Sequence, residues 1–147
     1  KTRCLVVETN VDDLNPEYMP HIMEKFLNAG VLDVFIIPVI MKKGRQGFLI
    51  SVLCTEEKLD NIENIFFTET STIGVRKHFV ERNELKREFE KFSFSLGTIQ
   101  IKKSYYKDKM VTCKPEYSDL VTLANKTGFP LKEIVSKFWS EYKSIQE

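Results

Sequence analysis

A chain of 147 residues suits one domain or two small subdomains sharing a core, and about 70% of its unfolded surface can be buried, so neither a disulfide framework nor a structural metal is required. Lys and Arg number 22 against 21 Asp and Glu, a net charge of +1 that gives no chain-wide field toward nucleic acid or an anionic membrane and leaves any anion site to be local. Cys4, Cys54 and Cys113 are odd in number, widely spaced and without zinc-ligand spacing, so they are expected to be reduced, buried thiols of a cytoplasmic protein.

The chain opens on an expected strand in which Leu5, Val7 and Val11 face one way and Glu8, Asn10 and Asp12 the other. One face suits a core; the other offers oxygen ligands for a hard cation such as Mg²⁺ or Mn²⁺, or is simply a solvated sheet face. Asn15 is placed to cap a helix with Pro16 at its first position, Ile22, Met23, Phe26 and Leu27 form its apolar stripe, and Gly30 ends it. Pro20 is expected to restart or bend that helix. Residues 32–41 and 47–54 form two β-branched, aromatic strands around the basic tip Lys42-Lys43-Gly44-Arg45. Thr55 is expected to cap a helix carrying Leu59, Ile62, Ile65 and Phe66, and residues 70–79 are expected to return to strand.

That order is the split βαβ pattern of a ferredoxin-like α+β sandwich over residues 1–82, with both helices on one face. The polar face of the first strand is then expected to lie beside Thr72, Arg76 and His78 of the last. Residues 83–147 follow as a smaller βββαα subdomain expected to pack on the first, with strands over 89–96, 99–103 and 110–114, a turn at Gly97, and helices over 116–126 and from Pro130 onward. The run contains no ~18-residue apolar segment and no signal-peptide pattern, so no membrane partner is expected. Starting at Lys1 without an initiator Met, the chain is expected to be an excised domain of a longer protein.

Three local features suggest a phosphate-and-metal site. Asp13 adjoins Asp12 where the turn Leu14-Asn15-Pro16 lets two consecutive carboxylates face one place. The tip Lys42-Lys43-Gly44-Arg45 combines cations with a glycine that frees backbone N–H groups, although most such tips are simply solvated hairpin turns. In Glu69-Thr70-Ser71-Thr72-Ile73-Gly74-Val75-Arg76, hydroxyls precede a glycine, either as ligand contacts or as a Thr-rich edge strand. His21 and His78 fit packed or hydrogen-bonded side chains better than ligands. Tyr105-Tyr106-Lys107-Asp108-Lys109 interleaves aromatics with cations as RNA-binding surfaces do, and also fits an exposed hairpin. No P-loop, HExxH, GxGxxG or hydrolase triad can be assembled.

The stretches 8–17, 41–45, 69–76 and Lys114-Pro115-Glu116-Tyr117, in this order, resemble the C-terminal domain of the LarC family, the nickel insertion proteins of nickel-pincer cofactor biosynthesis. The resemblance covers nearly the whole chain. It implies a nickel chelatase of the lyase class that inserts Ni²⁺, its metal substrate, into pyridinium-3,5-bisthiocarboxylic acid mononucleotide for lactate racemase. It also implies coupling to CTP hydrolysis, with CTP held together with Mn²⁺ or Mg²⁺ by a homo-oligomeric C-terminal domain; the isolated domain is expected to bind CTP with or without full activity. Set beside that resemblance, Glu8, Asp12 and Asp13 are the candidate metal ligands, with Asp12 and Arg76 as candidate catalytic groups. Lys42, Lys43, Arg45, Thr70, Ser71 and Thr72 are the candidate CTP contacts.

Two non-catalytic readings compete. An RNA-recognition domain shares the βαββαβ order, but residues 47–52 carry one aromatic where that family needs several, and the net charge is close to zero. No nucleic-acid partner is therefore expected. A small-molecule-sensing ferredoxin-like domain binds without turnover, and CTP consumption separates it from an enzyme.

Overall fold

The computed structural model describes residues 2–146. The chain divides into two compact units, Lys1–Glu84 and Leu85–Glu147.

In the first unit the elements are β1 (Thr2–Val11), α1 (Met19–Asn28), β2 (Asp33–Ile40), β3 (Gln46–Cys54), α2 (Leu59–Glu69) and β4 (Arg76–Arg82). The strands form one antiparallel sheet in the order β2-β3-β1-β4, the ferredoxin-like arrangement expected from the sequence. Alternation along β1 decides its faces: Leu5, Val7, Thr9 and Val11 are buried while Val6, Glu8 and Asn10 are half-exposed. The buried set joins Ile50, Val52 and Cys54 of β3 against Ile22 and Phe26 of α1 and Ile62, Ile65 and Phe66 of α2. Phe26 and Phe66 meet with ring centroids 4.8 Å apart, fixing the two helices to each other and to the sheet.

The first helix starts in two steps. Asn15 Oδ1 accepts the Glu17 N–H at 3.0 Å and caps a single 3-10 turn, Pro16–Tyr18. The α-helix proper then begins at Met19 with Pro20 in its first turn, where a missing N–H leaves no helical bond unmade. Pro20 therefore marks the restart expected of it.

Two local expectations are corrected. Residues 70–75 are not strand: α2 continues to Glu69, and β4 begins only at Arg76. Thr70 ends the helix by donating its hydroxyl to the Phe66 carbonyl at 2.6 Å, and Ser71 and Gly74 are poor strand formers, so tertiary pairing takes hold only after the glycine. Nor does Thr55 cap through its side chain; its hydroxyl is buried without a partner. An orphaned buried hydroxyl costs stability, so Thr55→Val is expected to raise the unfolding free energy by about 1 kcal/mol, seen as a higher urea midpoint at unchanged slope.

The second unit comprises β5 (Lys86–Phe94), β6 (Gly97–Tyr106), β7 (Lys109–Pro115), α3 (Tyr117–Thr127) and α4 (Leu131–Gln146). Its antiparallel sheet runs in the order β5-β6-β7. Ile99 and Ile101 on one face pack with Leu120 and Leu123 of α3 and Ile134, Phe138 and Tyr142 of α4. Gly128, at φ 80°, ends α3 as a left-handed cap.

Cys4 and Cys54 are buried, and burial, reinforced by neighbouring Cys4, pushes the Cys54 thiol up. Cys113 departs from the expectation: it is only half-buried, and its Sγ donates to Tyr142 Oη at 3.3 Å. Among the described residues no helix is long and apolar enough to cross a membrane.

Candidate functional site

Polar side chains of the first unit gather where β1 ends, because the strand gives way there to a turn while its neighbour β3 begins after a basic loop. Asp12, the first residue past β1, is about one-quarter exposed and lies 3.5 Å from the Arg45 guanidinium. Arg45 is held by the turn 41–45, closed by the Met41 N–H donating to the Arg45 carbonyl at 2.7 Å. Within that turn Lys43 and Gly44 both adopt left-handed backbone, φ 64° and 70°, which leaves the ammonium groups of Lys42 and Lys43 exposed on the outside. Asp13 Oδ1 accepts the Ser71 hydroxyl at 2.6 Å, joining the loop after α2 to the end of β1.

Beside these groups lies a cleft of about 580 Å³. It is lined by Val11, Asp12 and Leu14 at the end of β1, by Pro38, Val39 and Ile40 at the end of β2, and by Gly47 and Phe48 of β3, the strand between them. An apolar slot with a carboxylate at its rim and cations alongside can seat a flat ring and direct an attached anion outward. The sequence reading missed these apolar walls, since their residues look like ordinary strand positions. Gly47 within a strand was the available signal, because glycine there marks a close backbone approach.

Register explains what stays apart. Glu8 pairs directly across the sheet with Arg76, whose Nε donates to Glu8 Oε1 at 2.9 Å. Glu8 and Asp12 share a face, but four residues along an extended chain separate them by roughly 13 Å. They cannot share one ion. Among the described residues no group of three or more His, Cys, Asp or Glu side chains is placed to hold a metal ion. Asp12 and Asp13 remain as adjacent hard oxygen donors, and Mg²⁺ or Mn²⁺ needs only one or two carboxylates when substrate phosphates and water complete its shell.

The hydroxyls divide similarly. Thr72 Oγ1 donates to the Gly74 carbonyl at 2.7 Å and lies 2.6 Å from Thr9 Oγ1, which also contacts the Gly74 carbonyl at 3.0 Å. Thr70 is committed to Phe66. Of the three, Ser71 reaches an acidic side chain of the site, while Thr70 and Thr72 shape the loop that carries it. Thr9→Val is expected to cost about 1 kcal/mol by opening this network, measured by chemical denaturation. His78 stands opposite Val6 on β4, exposed, and His21 Nε2 lies 3.1 Å from Glu69 Oε2 on the outer surface.

The family model described as nickel insertion protein matches residues 1–135. A curated relative from Clostridium kluyveri, a pyridinium-3,5-bisthiocarboxylic acid mononucleotide nickel insertion protein, is 43% identical over 129 residues, covering 88% of this chain and 32% of its own length. A relative of the same name from Thermotoga petrophila is 37% identical over 144 residues, covering 98% of this chain and 36% of its own. This chain thus spans about a third of the length of such relatives. Among solved structures, the apo form of LarC2, the C-terminal domain of a cyclometallase involved in synthesis of the NPN cofactor of lactate racemase, superposes with a TM-score of 0.86. It is 31% identical, with 95% of this chain and 96% of that one covered.

Proposed function

The chain belongs to the nickel insertion protein family, and from that membership we propose that it is the nucleotide-binding part of a nickel chelatase acting on pyridinium-3,5-bisthiocarboxylic acid mononucleotide. In this reading Ni²⁺ is the metal substrate, and insertion is coupled to hydrolysis of CTP bound with Mn²⁺ or Mg²⁺. The observation that carries it is the Asp12–Arg45 pair beside the cleft at the end of β1, with Asp13, the next residue, accepting from Ser71.

Cytosine would occupy the slot between Leu14 and the Pro38–Ile40 wall, and the triphosphate would run out past Asp12. Arg45 exchanges a carboxylate partner for a phosphate, while Lys42 and Lys43 reach phosphate oxygens from the exposed turn. Asp12 and Asp13 would hold the divalent ion, which when bound supplies charge neutralisation across the phosphates. Arg76, paired with Glu8 on the neighbouring strand, would offset charge that develops further along the chain of phosphates. Positioning and electrostatics suffice for phosphoryl chemistry, so no protein nucleophile is invoked. Assembly as a homo-oligomer is part of the same proposal.

Calorimetric titration of CTP, ATP and GTP, each with and without Mn²⁺, tests it. CTP is expected to bind in a Mn²⁺-dependent way and more tightly than ATP or GTP. Equal heats for all three, or binding indifferent to the ion, would overturn the assignment of this cleft to a CTP complex.

A further inference from the structure

The uncovered face of the second unit's sheet has a composition that the nucleotide site does not explain. Register places Arg87, Phe89, Lys91 and Ser93 of β5, Thr98, Gln100 and Lys102 of β6, and Thr112 and Lys114 of β7 on the side away from α3 and α4. Glu88 and Glu90 point to the opposite, helix-covered side, where Glu90 pairs with Lys103 at 2.5 Å. No carboxylate of the three strands lies on the uncovered face among the described residues. Near it, Glu116 lies 4.0 Å from Lys102 and Asp119 accepts from the Gln100 backbone N–H at 2.8 Å.

One row across the sheet concentrates the oddity. Phe89, Lys102 and Lys114 stand directly opposite one another on successive strands. Like charges in directly opposed positions destabilise a sheet, and Phe89, 56% exposed, leaves a large ring in water. Arg87 and Lys91 flank that ring two residues away on either side, roughly 7 Å along the strand. Each of these is unfavourable for the free protein, and together they match a flat ring carrying anionic groups.

We propose that this face docks the pyridinium mononucleotide substrate, with its ring over Phe89 and its phosphate and thiocarboxylate groups on Lys102, Lys114, Arg87 and Lys91. The inference rests on the nickel insertion reading for the identity of the ligand. A pyridinium ring is itself cationic and is attracted to the face of a phenyl ring, while its anionic substituents meet the surrounding ammonium and guanidinium groups. A single-stranded nucleic acid fits less well, because such platforms stack successive bases on several aromatics. Phe89 is the sole ring in the cationic row; Tyr106, on the same face by alternation, lies four residues beyond Lys102 at the end of β6, with the Lys107 ammonium 5.3 Å from its ring centre.

Nicotinic acid mononucleotide, a pyridinium mononucleotide with one carboxylate, is the probe. Titrated into the whole chain and followed by amide NMR shifts, it is expected to perturb residues of β5, β6 and β7 on this face. The double variant Lys102→Gln with Lys114→Gln is expected to weaken the probe at least tenfold. Its melting temperature should equal or exceed that of the parent, because a like-charge pair has gone. Phe89→Leu is expected to abolish the preference for the probe over ribose 5-phosphate. The proposal is overturned by unperturbed strands, by parental affinity in the double variant, or by an oligothymidylate that moves the same resonances at lower concentration. Mn²⁺-CTP titrated into the same samples separates the two readings: its failure removes the CTP site of the first unit, whereas failure of the probe alone removes this surface.

Discussion

Asp12→Asn is expected to weaken Mn²⁺-CTP binding about a hundredfold, roughly 2.7 kcal/mol, and to abolish the difference between titrations with and without the ion. The substitution keeps the size and the hydrogen-bonding oxygen of the side chain but removes the charge that a hard cation needs. It also releases Arg45, 3.5 Å away and more than half exposed, to meet phosphate without competition. Affinity for CTP in the absence of metal should therefore be unchanged or slightly higher. That split distinguishes an ion ligand from a merely structural carboxylate. The Asp12–Arg45 pair is solvent-accessible, and exposed pairs contribute at most about 1 kcal/mol, so the melting temperature should move little. A variant that binds Mn²⁺-CTP like the parent would take Asp12 out of the site. Glu8→Gln is the internal comparison: with Glu8 committed to Arg76 and two pleats from Asp12, it should leave ion dependence intact.

The contrast between Asp12 and Glu8 also shows how far a sequence can be read. Alternation along residues 5–12 was legible, because burial of every second residue is what a half-covered sheet imposes. So was the ferredoxin-like order, because helix and strand periods differ along the chain and the two capping signals at Asn15 and Gly30 are local. Distance along the strand was equally implicit, yet three carboxylates on a short stretch invite grouping until the rise per residue is applied. The segment 70–75 was misjudged for another reason. Threonine favours strands in isolation, but here Thr70 closes a helix and Thr72 ties a loop to Thr9, a residue 63 positions away. No local rule reports a partner that distant. The apolar cleft was hidden likewise, since its walls come from three strand ends that only the fold brings together.

Gly47→Ala is expected to cost about 1–3 kcal/mol, the range for overpacking a filled site, and to impair CTP binding with every binding side chain still in place. A Cβ built on Gly47 would stand 2.5 Å from the Val11 carbonyl oxygen and 2.5 Å from Met41 Sδ. Met41 is the flexible end of a side chain and can move aside. The Val11 carbonyl is backbone, one residue before Asp12, and it can retreat only if β1 and β3 separate where they frame the cleft. Strain introduced at Gly47 is thus delivered to the carboxylate that is proposed to hold the ion. Gly44→Ala supplies the control. Its Cβ meets nothing within 4 Å, but its φ of 70° disfavours any L side chain, so it should strain the basic turn and leave the strand ends in register. If Gly47→Ala binds Mn²⁺-CTP as the parent does while showing the expected loss of stability, the cleft at the end of β1 is not where the nucleotide sits.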